Sequence, residues 1–342
     1  LRGEDGLYDS SSNTEFEIIS GSLPSGLTLH PRGGIYGTVT APCEAGSVTV
    51  KATDTNDSTR TVTFTINYGK FVEPDKYLTI GVYDAAPTVV EMKTNGSGTG
   101  WSYDGTTKTL TLNGYNGGPI AAELALNLHL VGTNTITIPS STAEVVGIDI
   151  GSSSSMFNLN ITADTGGTLN INGTTQGDFY GIRAYTYITN GTVNIDITSS
   201  GSSSSYGMWG NVYFTENETS QATLNVKVKD TDTTKYGYLS AFGNASVIVK
   251  NRSNVTVNAE AHVSSANKYT CSAIDELYIY EASPVITATA DCLGEISTKC
   301  IAVGNLRALG LTEGGKVTLN GMVKVYYLPD YLDAHVVTTT PA

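Results

Sequence analysis

Few residues in this chain have the type and spacing that covalent chemistry requires. The four histidines, His30, His129, His262 and His335, stand singly and far apart, so a histidine triad or zinc site would need unrelated segments to converge. No Walker-type phosphate loop, HExxH or GxSxG is present. Cys43, Cys271, Cys292 and Cys300 form no CxxC pair and read as isolated buried thiols. The sequence assigns no catalytic residue, no metal ligand and no cofactor.

Aromatic rings are what it does offer. Tyr180, Tyr206 and Tyr236 each precede a similar short apolar segment, and Trp209, Tyr185, Tyr187 and Tyr213 lie close in the same phase. Sugars rest their CH-rich faces on such rings while their hydroxyls pair with Asp, Asn and Arg, so a strip of this kind suits glycan binding. The outward position of the repeated segment reads Asp149, Arg183, Trp209, Leu239, Asp275 in successive copies. A glycoside hydrolase needs two facing carboxylates, and a lyase needs a cationic base with acidic calcium ligands. Asp149 beside Arg183 is a thin set for either, and an ion pair between neighbours accounts for both. The candidate ligand-binding residues are therefore Trp209, Tyr180, Tyr206, Tyr236, Tyr185, Tyr213, Arg183 and Asp149. Rings that only shield the edges of the fold are the competing reading.

Composition narrows the partners. With 19 Lys+Arg against 32 Asp+Glu in 342 residues, the net charge of -13 repels phosphate backbones, so nucleic acid is not an expected partner. Charged residues make up only 15%, and short β-branched runs recur among Thr, Ser, Asn and Gly, which favours strands and turns over helices. No run approaches the roughly 20 apolar residues of a membrane helix. Insertion in a membrane is not expected, and Leu1 opens the chain without a signal peptide, so a leader and an anchor are expected to have been removed. Asn-x-Ser/Thr triplets, as at Asn160 and Asn190, arise by chance in so Asn- and Thr-rich a chain and imply no glycosylation.

The elements that must position the rings are repeats. A short strand with alternating apolar residues recurs as TLTL (Thr109 to Leu112), TITI (Thr135 to Ile138), TLNI (Thr168 to Ile171), TVNI (Thr192 to Ile195), TLNV (Thr223 to Val226), NVTV (Asn254 to Val257) and KVTL (Lys316 to Leu319), with a poorer copy near Pro284 to Ala288. A second element precedes each, as GIDI at Gly147, GIRA at Gly181, GMWG at Gly207 and GYLS at Gly237. A third lies between them, as LNIT at Leu159 and YITN at Tyr187. Side chains alternate across a strand, so Leu110, Ile136, Leu169, Val193, Leu224, Val255 and Val317 are expected to stack as one inward column. Leu112, Ile138, Ile171, Ile195, Val226, Val257 and Leu319 form its neighbour. Thr111, Thr137, Asn170, Asn194, Asn225, Thr256 and Thr318 then face outward. Three strands per repeat predict a right-handed parallel β-helix of about seven three-stranded coils over residues 109–320. Residues 77–108 and 321–342, the latter with Tyr326, Tyr327 and Tyr331, are expected to cap its ends. The GSSSS runs at Gly151 and Gly201 read as loops between strands.

Ahead of this, residues 1–69 alternate in segments separated by turn signals, at Phe16 to Ile19, Leu27 to Leu29, Gly34 to Thr40, Ser47 to Ala52 and Thr61 to Asn67, which predicts a β-sandwich. Residues 70–76, with Pro74, read as a linker. The fold class is thus all-β, an N-terminal Ig-like β-sandwich followed by a parallel β-helix.

Two resemblances follow from particular motifs. The stretch from Ser22 to Asp54, through Leu23, Pro24, Gly26, Leu27, Gly37 and Asp54, resembles the bacterial Putative-Ig (cadherin-like) modules, with Val39 where those modules usually carry Pro. Calcium binding does not carry over, because no acidic cluster surrounds Asp54, which reads as a turn residue. Trp101, Ser102, Tyr103, Asp104, Thr109 to Leu112, Gly132, Asn134, Thr135 and Ile136 are similar to the opening of the β-helical, carbohydrate-binding and adhesin-like domains of gut bacterial cell-surface proteins. The likeness covers roughly residues 77–138. It implies an extracellular protein of the bacterial cell surface, a monomer and not an enzyme, whose Ig-like module is a spacer and whose solenoid wall binds glycans or host surface proteins. A polysaccharide lyase or glycoside hydrolase on the same wall is the alternative, and a stalk that binds nothing is a third.

Overall fold

The computed structural model describes residues 13–72, 75–152, 155–201, 204–214, 220–231, 237–263, 270–292, 300–311, 315–320, 322–323 and 336–339. These residues form strands and turns and no helix. The chain divides into two compact units, Leu1–Asp75 and Lys76–Ala342.

The first unit is an Ig-like domain. Thr14–Ser20, Gly46–Asp54 and Thr61–Tyr68 form a three-stranded antiparallel sheet, and Leu27–Leu29 pairs with Ile35–Gly37 as a separate hairpin. Alternation buries Phe16, Val48, Val50 and Ala52 on one face, and Leu23 and Leu29 pack against them from outside that sheet. Asp54 is a turn residue whose Oδ1 accepts the Asn56 N–H at 2.8 Å. Within the segment read as a linker, Phe71 exchanges both backbone hydrogen bonds with Cys43.

The second unit is a β-solenoid with three walls. The first wall is built from Ile120–Ala122, Val145–Ser152, Phe179–Arg183 and Ser204–Trp209, and the second from Leu126–Val131, Asn158–Ala163, Tyr185–Ile188 and Val212–Phe214. The third is a nine-stranded sheet, running from Asn116–Gly117 through Gly191–Ser199 to Val336–Thr339. Neighbouring coils pair in parallel on all three walls, as a chain winding round one axis requires.

The solenoid makes about 5 turns, slightly fewer than the about seven three-stranded coils expected. From Tyr238 onward the first two elements of a coil merge into single long strands, Tyr238–Lys250, Thr270–Ala282 and Cys300–Leu311, each of which serves both walls.

Burial follows the alternation closely. On the third wall Leu169, Val193, Leu224, Val257, Ile286 and Val317 stack in register, as do Ile136, Ile171, Ile195, Val226, Ala259, Ala288 and Leu319, all buried. Two expected strands are corrected by this register. Ile136 lies beside Ile171 rather than Leu169, and Val257 beside Leu224 rather than Val226. A slip of two residues keeps every side chain on its expected face, so the apolar pattern does not detect it. Leu110 and Leu112 are buried on the second wall, opposite Leu128 and Leu130, because Thr109–Asn113 pairs with Leu126–Val131.

Outside the third wall, a column of asparagines bonds from coil to coil. Nδ2 of Asn194, Asn225 and Asn258 donates to Oδ1 of Asn170, Asn194 and Asn225 at 2.8, 2.7 and 2.7 Å. Asn194 and Asn225 each give and receive one such bond, so the column reinforces a single register.

The N-terminal cap is antiparallel. Tyr77–Ile80 covers Ile120–Ala122, and Trp101–Asp104 pairs with Thr109–Asn113, placing Leu78, Ile80, Met92, Trp101 and Tyr103 over the first coil. Met322–Val323 and Val336–Thr339 continue the walls at the other end; Tyr326, Tyr327 and Tyr331, expected in the C-terminal cap, lie outside the described residues.

Candidate functional site

On the first wall, from Val145–Ser152 onward, successive strands carry a small residue followed by a large one, both pointing inward: Gly147–Ile148, Gly181–Ile182, Gly207–Met208, Ala241–Phe242 and Ala273–Ile274. The small member is forced. A Cβ on Gly181 would meet the Gly207 carbonyl oxygen and lie 2.7 Å from Ile195 Cγ2. This double inward step leaves outward residues before and after it, so two outer columns run up the wall. One holds Val146, Tyr180, Tyr206, Ser240 and Ser272, and the other holds Asp149, Arg183, Trp209 and Gly243.

Most of the expected candidates converge here. The rings of Tyr180 and Tyr206 stack at 5.5 Å, and Trp209 closes the group at 4.5 Å from Tyr206 and 5.7 Å from Tyr180. Half burial raises the pKa of both tyrosines, that of Tyr180 to about 12, so both stay neutral through the physiological range. Arg183 lies 5.4 Å from the Tyr180 ring centre and grips Asp149 through Nε at 2.9 Å and Nη2 at 2.6 Å, while Nη1 donates to Glu144 at 3.1 Å. These bonds to two carboxylates hold the guanidinium firmly protonated.

Other candidates sit elsewhere. Tyr213 stacks on Tyr187 at 4.7 Å on the second wall, and Tyr185 is exposed on that wall beside Asn158. Tyr236 lies outside the described residues. Leu239 is corrected: it is fully buried beside Ser205, and Gly243 takes the position opposite Trp209. The strand there is aligned by its Ala241–Phe242 pair, not by Gly237, and that small-large pair was the signal available in the sequence.

Beside the Tyr206 and Trp209 rings lies a cleft. Tyr206, Trp209, Tyr238, Leu239, Ser240, Asn244, Ser272 and Asp275 line a space of about 500 Å³. Asp275 is its polar floor. Its Oδ1 accepts Ser272 Oγ at 2.6 Å and Ser240 Oγ at 3.4 Å, and its Oδ2 accepts the Asn244 N–H at 2.8 Å. Burial pushes the Asp275 carboxyl above the usual carboxylate range, against the pull of those three bonds. Asn244 is held at a φ of 47°, which aims its N–H at the carboxylate. Aromatic faces beside one hydrogen-bonded carboxylate can hold an amphipathic ligand. Asp275 is the single carboxylate lining the cleft among the described residues.

Gly243 seats the Tyr206 ring, since a Cβ there would overlap that ring. Gly243→Ala is expected to displace Tyr206 from Trp209, with a stability loss of about 1–3 kcal/mol. Near-ultraviolet circular dichroism, which reads the Tyr206–Trp209 coupling, checks this, and an unchanged spectrum would show that the ring is not seated by Gly243.

No curated protein and no solved structure matches the chain. An Ig-like domain followed by a β-solenoid is compatible with a surface or binding protein. Residues 4–69 match the family model He_PIG, "Putative Ig domain", so the N-terminal unit is similar to that family.

Proposed function

We propose that this chain is a non-catalytic glycan-binding protein or adhesin of the bacterial cell surface, with the aromatic cleft on the first wall as its ligand site and the Ig-like unit as a spacer. The observation that supports the reading is the joining of the Tyr206 and Trp209 rings to the Asp275 carboxylate in one open cleft. Rings supply the apolar platform on which a pyranose face rests, and the carboxylate and seryl groups supply the directional bonds that fix its orientation. A solenoid suits such a site because its coils are held in register by backbone bonds, so little ordering cost falls on the ligand. On this reading the protein acts outside the cell, where glycans are displayed, as a monomer that needs no cofactor.

A glycan array tests the reading. Trp209→Ala is expected to cost about 2 kcal/mol, roughly a 30-fold loss of affinity, as removal of a central ring from a contact does. Tyr187→Ala, on the second wall, is expected to leave binding unchanged. Equal binding by wild type and Trp209→Ala would remove this cleft as the site.

A further inference from the structure

The charges around the cleft narrow the class of sugar, an inference that rests on the glycan reading above. Arg183 is the one cation that touches the aromatic cluster among the described residues, and its bonds go to Asp149 and Glu144, two carboxylates for one guanidinium. Among the described residues the cleft itself is lined by Asp275 and by no Lys, Arg or His. Just beyond it, Glu276 adds a further carboxylate, fixed by Ser246 Oγ at 2.7 Å and Tyr278 OH at 3.1 Å. An acidic sugar would bring its charge against the carboxylate of Asp275, with that of Glu276 close by.

Oδ2 of Asp275 accepts one bond from the protein and keeps a free acceptor position, while the second position of Oδ1 is met only by the long 3.4 Å contact from Ser240 and is open to a better donor. Two adjacent hydroxyls of a sugar match such a pair of oxygens, each donating one hydrogen. We infer that the cleft takes an uncharged sugar residue, its face against Trp209 and Tyr206 and two neighbouring hydroxyls donated to Asp275, and that it rejects sugars bearing carboxylate or sulfate. Ser240 and Ser272 serve as positioning residues, since their hydroxyls, 2.7 Å apart, hold Oδ1 of Asp275 in place rather than reach the ligand first.

The test is calorimetric titration of the whole protein with neutral oligosaccharides of glucose, galactose, mannose and N-acetylglucosamine, and with the same sugars bearing a carboxylate or a sulfate. At least one neutral probe is expected to bind, with its acidic counterpart at least about tenfold weaker, and Asp275→Asn is expected to weaken the neutral probe by about tenfold. The neutral-to-acidic ratio is read on the wild type, so the inference stands or falls even where Asp275→Asn does not fold. Acidic probes bound as tightly as neutral ones would overturn the selectivity while leaving the glycan reading intact. Neutral binding unchanged in a folded Asp275→Asn would overturn the role of the carboxylate. Binding of no sugar together with binding of choline would overturn both and mark the rings as a cage for ammonium groups.

Discussion

Truncating Phe242 to alanine is expected to lower the free energy of unfolding by about 3–5 kcal/mol, the range for loss of a fully buried phenylalanine. Phe242 is one of the largest fully buried side chains, and it lies in the first-wall column between Met208 and Ile274. Its sequence neighbours inside the wall are Ala241 and, on the next coil, Ala273, which are too small to fill the space. The coils above and below cannot close over the cavity, because backbone bonds fix their spacing at about 4.8 Å. Most of the void therefore persists, which places the cost toward the upper end. Denaturant unfolding of wild type and variant measures it. A change under about 1 kcal/mol would mean that Phe242 does not fill the interior of a continuous stack. Tyr187→Ala, which removes a ring from outside the second wall, serves as the contrast and is expected to cost far less.

The second large effect is expected at a polar residue. Arg252 follows the strand Tyr238–Lys250 and is only 2% exposed. Its guanidinium donates to the backbone carbonyls of Ile188, Thr189 and Ser220, at the corners of earlier coils. One planar fork thus staples backbone that lies 32, 63 and 64 residues away in sequence. Removing it leaves three carbonyls without that donor in a region with little room for water, and each unmet acceptor costs about 1–3 kcal/mol. Some water will follow into the space, so the net loss expected for Arg252→Ala is about 3 kcal/mol. Arg252→Lys restores the charge and not the fork, and is expected to recover less than half of it. Thermal and denaturant unfolding of the pair separate the two contributions, and full rescue by lysine would show that charge alone matters there.

How much of this was legible in the sequence depended on which interactions alternate. Strand positions such as Gly46–Asp54 and Thr168–Thr175 could be read because their apolar residues recur every second place and must share a face. The adjacency of Tyr180 with Tyr206, and of Asp149 with Arg183 and Trp209, followed once the coils were aligned on their glycines. The displacement of Leu239 and the two-residue slips at Ile136 and Val257 did not, since the pattern is unchanged when a strand moves by one full pleat. Asp275 was visible as an outward residue, but its serine and backbone partners come from two coils and a turn, and no local spacing records them. Arg252 carried no signal at all. A lone arginine between strands reads as solvent-exposed until the corner carbonyls it reaches are known.

The cleft account can be tested most directly through its own indole. Of the two tryptophans, Trp101 is buried in the N-terminal cap and Trp209 lies at the cleft. Trp101→Phe leaves Trp209 as the single reporter, and titration with a neutral oligosaccharide that binds by calorimetry can be followed by its emission and by acrylamide quenching. A saturable blue shift and loss of quenching, at the calorimetric affinity, is the expected result. Calorimetric binding with the Trp209 emission and quenching unchanged would place the ligand elsewhere and contradict the account.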